Sequence, residues 1–161
     1  MMMKICLCSL GMLLVSESVL AAPCKISQSV YRDADGKGFE LVFGAPKNRS
    51  PFLASATIQH SQQDPLYRFN LTQANGYGSI SLLWQPESKQ KSQSFRLNFF
   101  SQDFQSATPV IFGREPQAPK YAFITNLGSF DYYQRRGQIS DQTPPQIADM
   151  MWVHDRCVGS N

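Results

Sequence analysis

His60 and His154 are the only histidines in this 161-residue chain, so histidine-centred acid–base chemistry must use one of them. His60 closes the run Ala54–His60 on the parity of Ala56 and Ile58. His154 stands in Trp152-Val153-His154-Asp155-Arg156, just ahead of Cys157. A working set needs a nucleophile, a base and an orienting group brought together in space. Serines are plentiful, but none lies in a G-x-S-x-G context. Glycoside chemistry needs two carboxyl groups facing each other across a cleft, and Glu40, Glu87, Glu115, Asp103, Asp131 and Asp149 are spread along the chain. The sequence therefore points away from an enzyme. The rival expectation is a secreted hydrolase using His60 or His154 with a nearby carboxylate.

No cofactor motif is present, and no metal site is expected. Asp33-Ala34-Asp35-Gly36-Lys37-Gly38 starts like a calcium loop. Lys37 then fills the place of the third oxygen ligand and Gly44 that of the bidentate glutamate, so an Asp- and Gly-rich hairpin turn is the better reading. Cys24 and Cys157, near the two ends, offer only two thiolates where zinc takes four ligands. They are expected to pair as a disulfide, which needs their Cα atoms within about 7 Å and so brings both ends of the domain together.

The leading candidates for contact chemistry are aromatic and basic. Tyr67-Arg68-Phe69-Asn70-Leu71 and Phe95-Arg96-Leu97-Asn98-Phe99 share one pattern. If three neighbouring strands form a meander, Arg68, Asn70, Arg96 and Asn98 gather around Ser79 and Ser81. The tandem pairs Phe99-Phe100 and Tyr132-Tyr133 must each turn one ring outward on a strand. Phe100, Tyr132, Tyr133, Arg135 and Arg136 complete the expected contact surface, which suits a protein or glycan partner.

These residues need a β framework, and the patterning supplies one. Phe39, Leu41 and Phe43 alternate with polar neighbours, as do Tyr67, Phe69 and Leu71; Ile80, Leu82 and Trp84; and Phe95, Leu97 and Phe99. Weaker strand candidates are Ser29–Arg32, Ala54–His60, Val110–Phe112, Tyr121–Thr125 and Phe130–Gln134. Gly, Asn, Asp and Pro fall between the runs, where turns need them. The sum is an all-β fold, an antiparallel β-sandwich or barrel of about 8–9 strands. A short C-terminal helix is expected from Thr143-Pro144, with Ile147, Met150 and Met151 on one face and an extended segment after it. A barrel would also allow a third function, carriage of a small apolar ligand in an internal cavity.

The first residues set the expected compartment. Lys4, an apolar run over 5–15 and Val19-Leu20-Ala21 match a signal peptide over 1–21. The run is about half the length that crosses a bilayer. Cleavage would remove Cys6 and Cys8 and leave a single β domain over 22–161, secreted or periplasmic. The net charge of +3 is unchanged by losing Lys4 and Glu17, and it is far from the basic density of a nucleic-acid binder. No membrane span is expected after the leader. Asn48 and Asn70 stand in glycosylation sequons, which matter only in a eukaryotic secretory route.

Overall fold

The computed structural model describes residues 24–46, 52–74, 78–87, 91–109 and 116–159. The proposed leader and the Val110–Phe112 run lie outside the described residues. Eight strands form a closed antiparallel barrel in which each strand pairs with its sequence neighbours and the last pairs with the first. The strands are β1 (Ser29–Asp33), β2 (Phe39–Gly44), β3 (Ala54–His60), β4 (Gln63–Gln73), β5 (Ile80–Trp84), β6 (Ser94–Phe100), β7 (Tyr121–Ile124) and β8 (Met151–Cys157). A single turn of 3₁₀ helix, Ile26–Gln28, precedes β1, and helix α1 (Leu127–Arg135) lies between β7 and β8.

Alternation explains why the sheet closes. β2 and β3 bury every second residue along their whole lengths. The inward rows meet at the axis: Tyr31 packs edge-on against Phe43, and Phe69 against Phe95, with ring centres 5.8 and 5.9 Å apart. Phe39, Leu41, Leu71, Phe99 and Trp152 are buried among them. Each such side chain contributes roughly 1.5–3 kcal/mol by leaving water. Side chains thus occupy the axis along which a carried ligand would have to lie.

Up-and-down connections give the barrel two distinct poles. At one, Cys24 and Cys157 form a disulfide with Cα atoms 5.7 Å apart, closing a loop of 133 residues. The β6–β7 connection is tied there: Ala118 N–H donates to Cys24 O and Ile26 N–H to Pro116 O. At the opposite pole α1 lies over the mouth. Phe130 inserts between Trp84 and Phe95, 4.9 Å from each ring centre.

Two expected elements are corrected here. Phe130–Gln134 is not a strand, because it forms most of α1. The expected short helix is present, but as α1 rather than over Thr143–Met151, where 144–148 is irregular and β8 begins at Met151. Pro145 disfavours helical backbone at Pro144. The two proline carbonyls instead accept hydrogen bonds from Arg135 Nη1 and Nη2, at 2.8 and 2.6 Å. Contact between α1 and this segment is close. Gly128 N–H donates to Asp149 Oδ1, and a Cβ on Gly128 would sit 2.7 Å from Asp149 N.

Candidate functional site

Both histidines have defined surroundings. His60 is buried at the helix pole under the β1–β2 hairpin. Gln62 N–H donates to its Nδ1 at 3.1 Å, which leaves the proton on Nε2, 3.0 Å from the accepting Lys37 carbonyl. Both ring nitrogens are thus consumed by backbone groups, and the ring pins two hairpin turns together. Asp33 plays a parallel part. Its Oδ2 accepts the N–H groups of Lys37 and Gly38, folding the Asp- and Gly-rich segment into a turn with Gly36 and Gly38 at φ +70° and +91°.

A groove of about 710 Å³ opens beside this turn, lined by Arg32, Asp33, Glu40, His60, Asp64 and Asp155 among others. It lies outside the barrel rather than along its axis. Arg156 Nη1 bridges Glu40 Oε1 at 2.7 Å and Asp155 Oδ2 at 2.8 Å, and Gln59 Nε2 donates to Glu40 at 2.9 Å. The Arg156 hydrogen bond holds the Glu40 carboxyl below its ordinary range, against a smaller opposing effect of burial. A lowered pKa of this kind adds stability that is present above about pH 4.3 and is lost as pH falls through the folded-state value. Glu40→Gln should therefore flatten the acid side of the stability profile below about pH 5, read as urea midpoints across pH 3–7.

His154 projects at the other pole. Its ring meets Tyr31 edge-on with centres 5.3 Å apart, and its Nε2 is buried with no hydrogen-bond partner. Burial, then the Lys120 ammonium, lowers its pKa from the ordinary histidine value, so the ring is neutral at pH 7.

The expected contact surface divides among separate places. β4, β5 and β6 do form the anticipated meander, with Thr72, Ser81 and Arg96 in one cross-strand row. Arg96 donates to Ser79 Oγ at 2.9 Å, Asn98 to Thr125 Oγ1 at 3.4 Å, and Arg68 pairs with Glu87 at 3.3 Å. Asn70 shares the outer face of β4 opposite Leu83. Tyr132 and Tyr133 are both exposed, at 45% and 65%, because they sit on the outer side of a helix rather than on alternating strand faces. Arg136 lies over the Tyr133 ring at 5.5 Å. Arg135 does not belong to this surface. It is buried, with Nε and Nη2 on the two oxygens of the wholly buried Asp131 at 2.6 and 2.7 Å.

Phe100 belongs to an aromatic-rich outer face of β6, β7 and β8. It pairs across strands with Tyr121, which pairs with Val153, while the next row carries Phe123 beside Met151. Above them Phe104, 63% exposed, stacks on Tyr121 with ring centres 4.9 Å apart and planes 5° from parallel. Phe104 has φ +60°, a left-handed conformation that costs a bulky side chain roughly 1–2 kcal/mol. The turn is held by Phe104 N–H to Ser101 O and Ser101 N–H to Gln105 O. Sequence reasoning found Phe100 but missed Phe104 and Tyr121, since neither lies in a tandem pair and the turn carries no glycine.

The chain matches no protein-family model, no curated protein and no solved structure. Among the described residues no helix is long and apolar enough to cross a membrane.

Proposed function

We propose that this chain is an exported, non-catalytic β-barrel that docks a protein partner on the outer face of β6, β7 and β8. The observation that carries the reading is Phe104: a large ring held in a strained left-handed turn, exposed, and stacked on Tyr121 at the centre of an aromatic and methionine-bearing face. Strain retained at an exposed apolar residue points to a task for that residue beyond packing. Aromatic and Met side chains at the centre with charge at the margin, here Lys120 and Arg32, are the composition of a protein interface. A glycan platform would place more hydrogen-bonding groups between the rings. Strand addition is not the docking mode, because none of the eight strands has an open edge. The hydrolase reading has less support, since the histidine in the groove has no nitrogen free for a substrate. Export is supported by the leader-like first residues and by the disulfide, which fits an oxidising compartment.

The test is site-specific photo-crosslinking in the native host. A photoreactive phenylalanine at position 104 should give one discrete protein adduct, and the same probe at position 68 should not. Phe104→Gly should remove co-purification of that adduct's protein while moving folding stability by no more than about 1 kcal/mol. The relieved backbone strain offsets the lost ring stack, worth roughly 0.5–1.5 kcal/mol. Equal labelling from both positions, or binding that survives Phe104→Gly, refutes the proposal.

A further inference from the structure

The ligand-capable atoms of Cys24, Cys157 and His154 all lie within 4.8 Å of one another at the disulfide pole. Two segments contribute. Cys24 precedes the 3₁₀ turn, His154 and Cys157 stand on β8, and the β1–β8 pairing sets their spacing through Ser29 opposite Cys157 and Tyr31 opposite His154. The register shift between Val30 and Tyr31 puts a bulge in this ladder. His154 thereby shares Tyr31's row and meets its ring, on the side where the sulfurs lie.

We infer that, once the disulfide is opened, Cys24, Cys157 and His154 bind a single Cu(I) ion in a three-coordinate S₂N site. The buried, unpartnered Nε2 of His154 is the second observation that points to a ligand. A polar atom withdrawn from water without a hydrogen bond is destabilising unless something else takes its lone pair. Two soft thiolates and one imidazole suit Cu(I), whereas structural zinc takes four ligands.

The chemistry balances with a dithiol reductant as co-reactant. It gives two electrons and two protons, the Cys24–Cys157 bond breaks, both sulfurs become thiols, and the reductant closes into its own disulfide. Cu(I) then displaces the two thiol protons to solvent and forms two sulfur–copper bonds. His154 adds a lone pair from Nε2 in its Nδ1–H tautomer and loses no proton. The complex carries one negative charge, and Lys120, whose Nζ lies 3.4 Å from the His154 carbonyl, supplies a cation close by. The disulfide form has no thiolate to offer, so binding is conditional on the oxidation state of the pair.

The experiment uses the chain from Ala22, which lacks the leader's Cys6 and Cys8, reduced and kept anaerobic at low temperature, with Cu(I) delivered from a chromophoric chelator. One Cu(I) per chain should transfer to the reduced protein and none to the oxidised form. His154→Leu should weaken retention at least about tenfold, the lower end of what even outer-sphere partners of a metal are worth. Near-UV circular dichroism should show the reduced barrel folded before metal is added. X-ray absorption of the loaded wild-type protein should show two sulfurs and one imidazole, a readout that does not depend on a variant folding. Retention unchanged in His154→Leu, a sulfur-only shell, transfer to the oxidised form, or a reduced chain that has unfolded would each overturn the assignment.

Discussion

Replacing Asp131 with alanine is expected to cost about 3–5 kcal/mol of folding stability, because it leaves the Arg135 cation buried without a counter-charge. Asp131 has no exposed surface and all its acceptor capacity is used. Arg135 binds both oxygens, Tyr67 Oη donates to Oδ1 at 2.7 Å, and Ile147 N–H donates to Oδ2 at 2.8 Å. This one carboxylate joins α1, β4 and the segment leading into β8, so the closure of the helix pole depends on it. Tyr67 stays a donor: burial and then the Asp131 carboxylate raise its pKa far above the ordinary value. Thermal and urea denaturation should register a fall of roughly 10–20 °C in Tm for a domain of this size. Arg135→Ala should be similarly damaging. The pair Asp131→Leu with Arg135→Met should cost less than either single alanine change, because it removes the orphaned charge together with its partner. If the double substitution proves additive, the buried ion pair is not what holds the lid.

Opening the disulfide is the second large effect. A bridge closing 133 residues restricts the unfolded chain over nearly the whole domain. The chain-entropy argument assigns such a loop roughly 4–5 kcal/mol, and removal of native bridges typically costs about 2–5 kcal/mol. Cys24→Ser and Cys157→Ser should lower the urea midpoint equally, and reduction of the wild-type protein should reproduce the shift. The barrel should nonetheless remain closed in dilute buffer. β1 and β8 pair from Ser29–Cys157 through to Asp33–Trp152, so the ladder joins the chain ends without the bridge. An unfolded variant in buffer alone would show that the seam cannot stand on its hydrogen bonds.

The strands could be read from the sequence because the barrel has one buried face and one outer face, which period-2 alternation reports directly. Ala54–His60 matches β3 end to end, and the Cys24–Cys157 pairing follows from the cysteine positions. Closure into a barrel rather than a sandwich depends on the β1–β8 pairing, which joins segments about as far apart in sequence as the domain permits and leaves no local mark. Helix α1 was hidden for a different reason. Its inward side carries Leu127, Phe130, Asp131 and Arg135, a proper helical spacing in which two charged residues stand where apolar ones would reveal the period. Tyr132 and Tyr133, large and adjacent, imitate a strand while lying on the helix's outer side. The reverse error at Thr143–Met151 came from reading Pro144 as a helix start when Pro145 follows it.

Of the candidate chemistry, the place of His60 at a strand end fits either an inward ring or a loop position, and its hydrogen bonds run to backbone groups that no side-chain motif encodes. His154 was visible beside Cys157, but the third member of that cluster, Cys24, reaches it only through the fold.

The seam where the first strand meets the last also dictates when this molecule can finish folding. A hairpin ribbon from β2 to β7 can assemble as it emerges, but the ring stays incomplete until the final residues have been delivered. Because synthesis runs from the N-terminus, β1 waits with one side unsatisfied until β8 arrives. The cylinder therefore closes only once β8 has been made, and a truncation that removes only β8 deprives both of its neighbours of their partner.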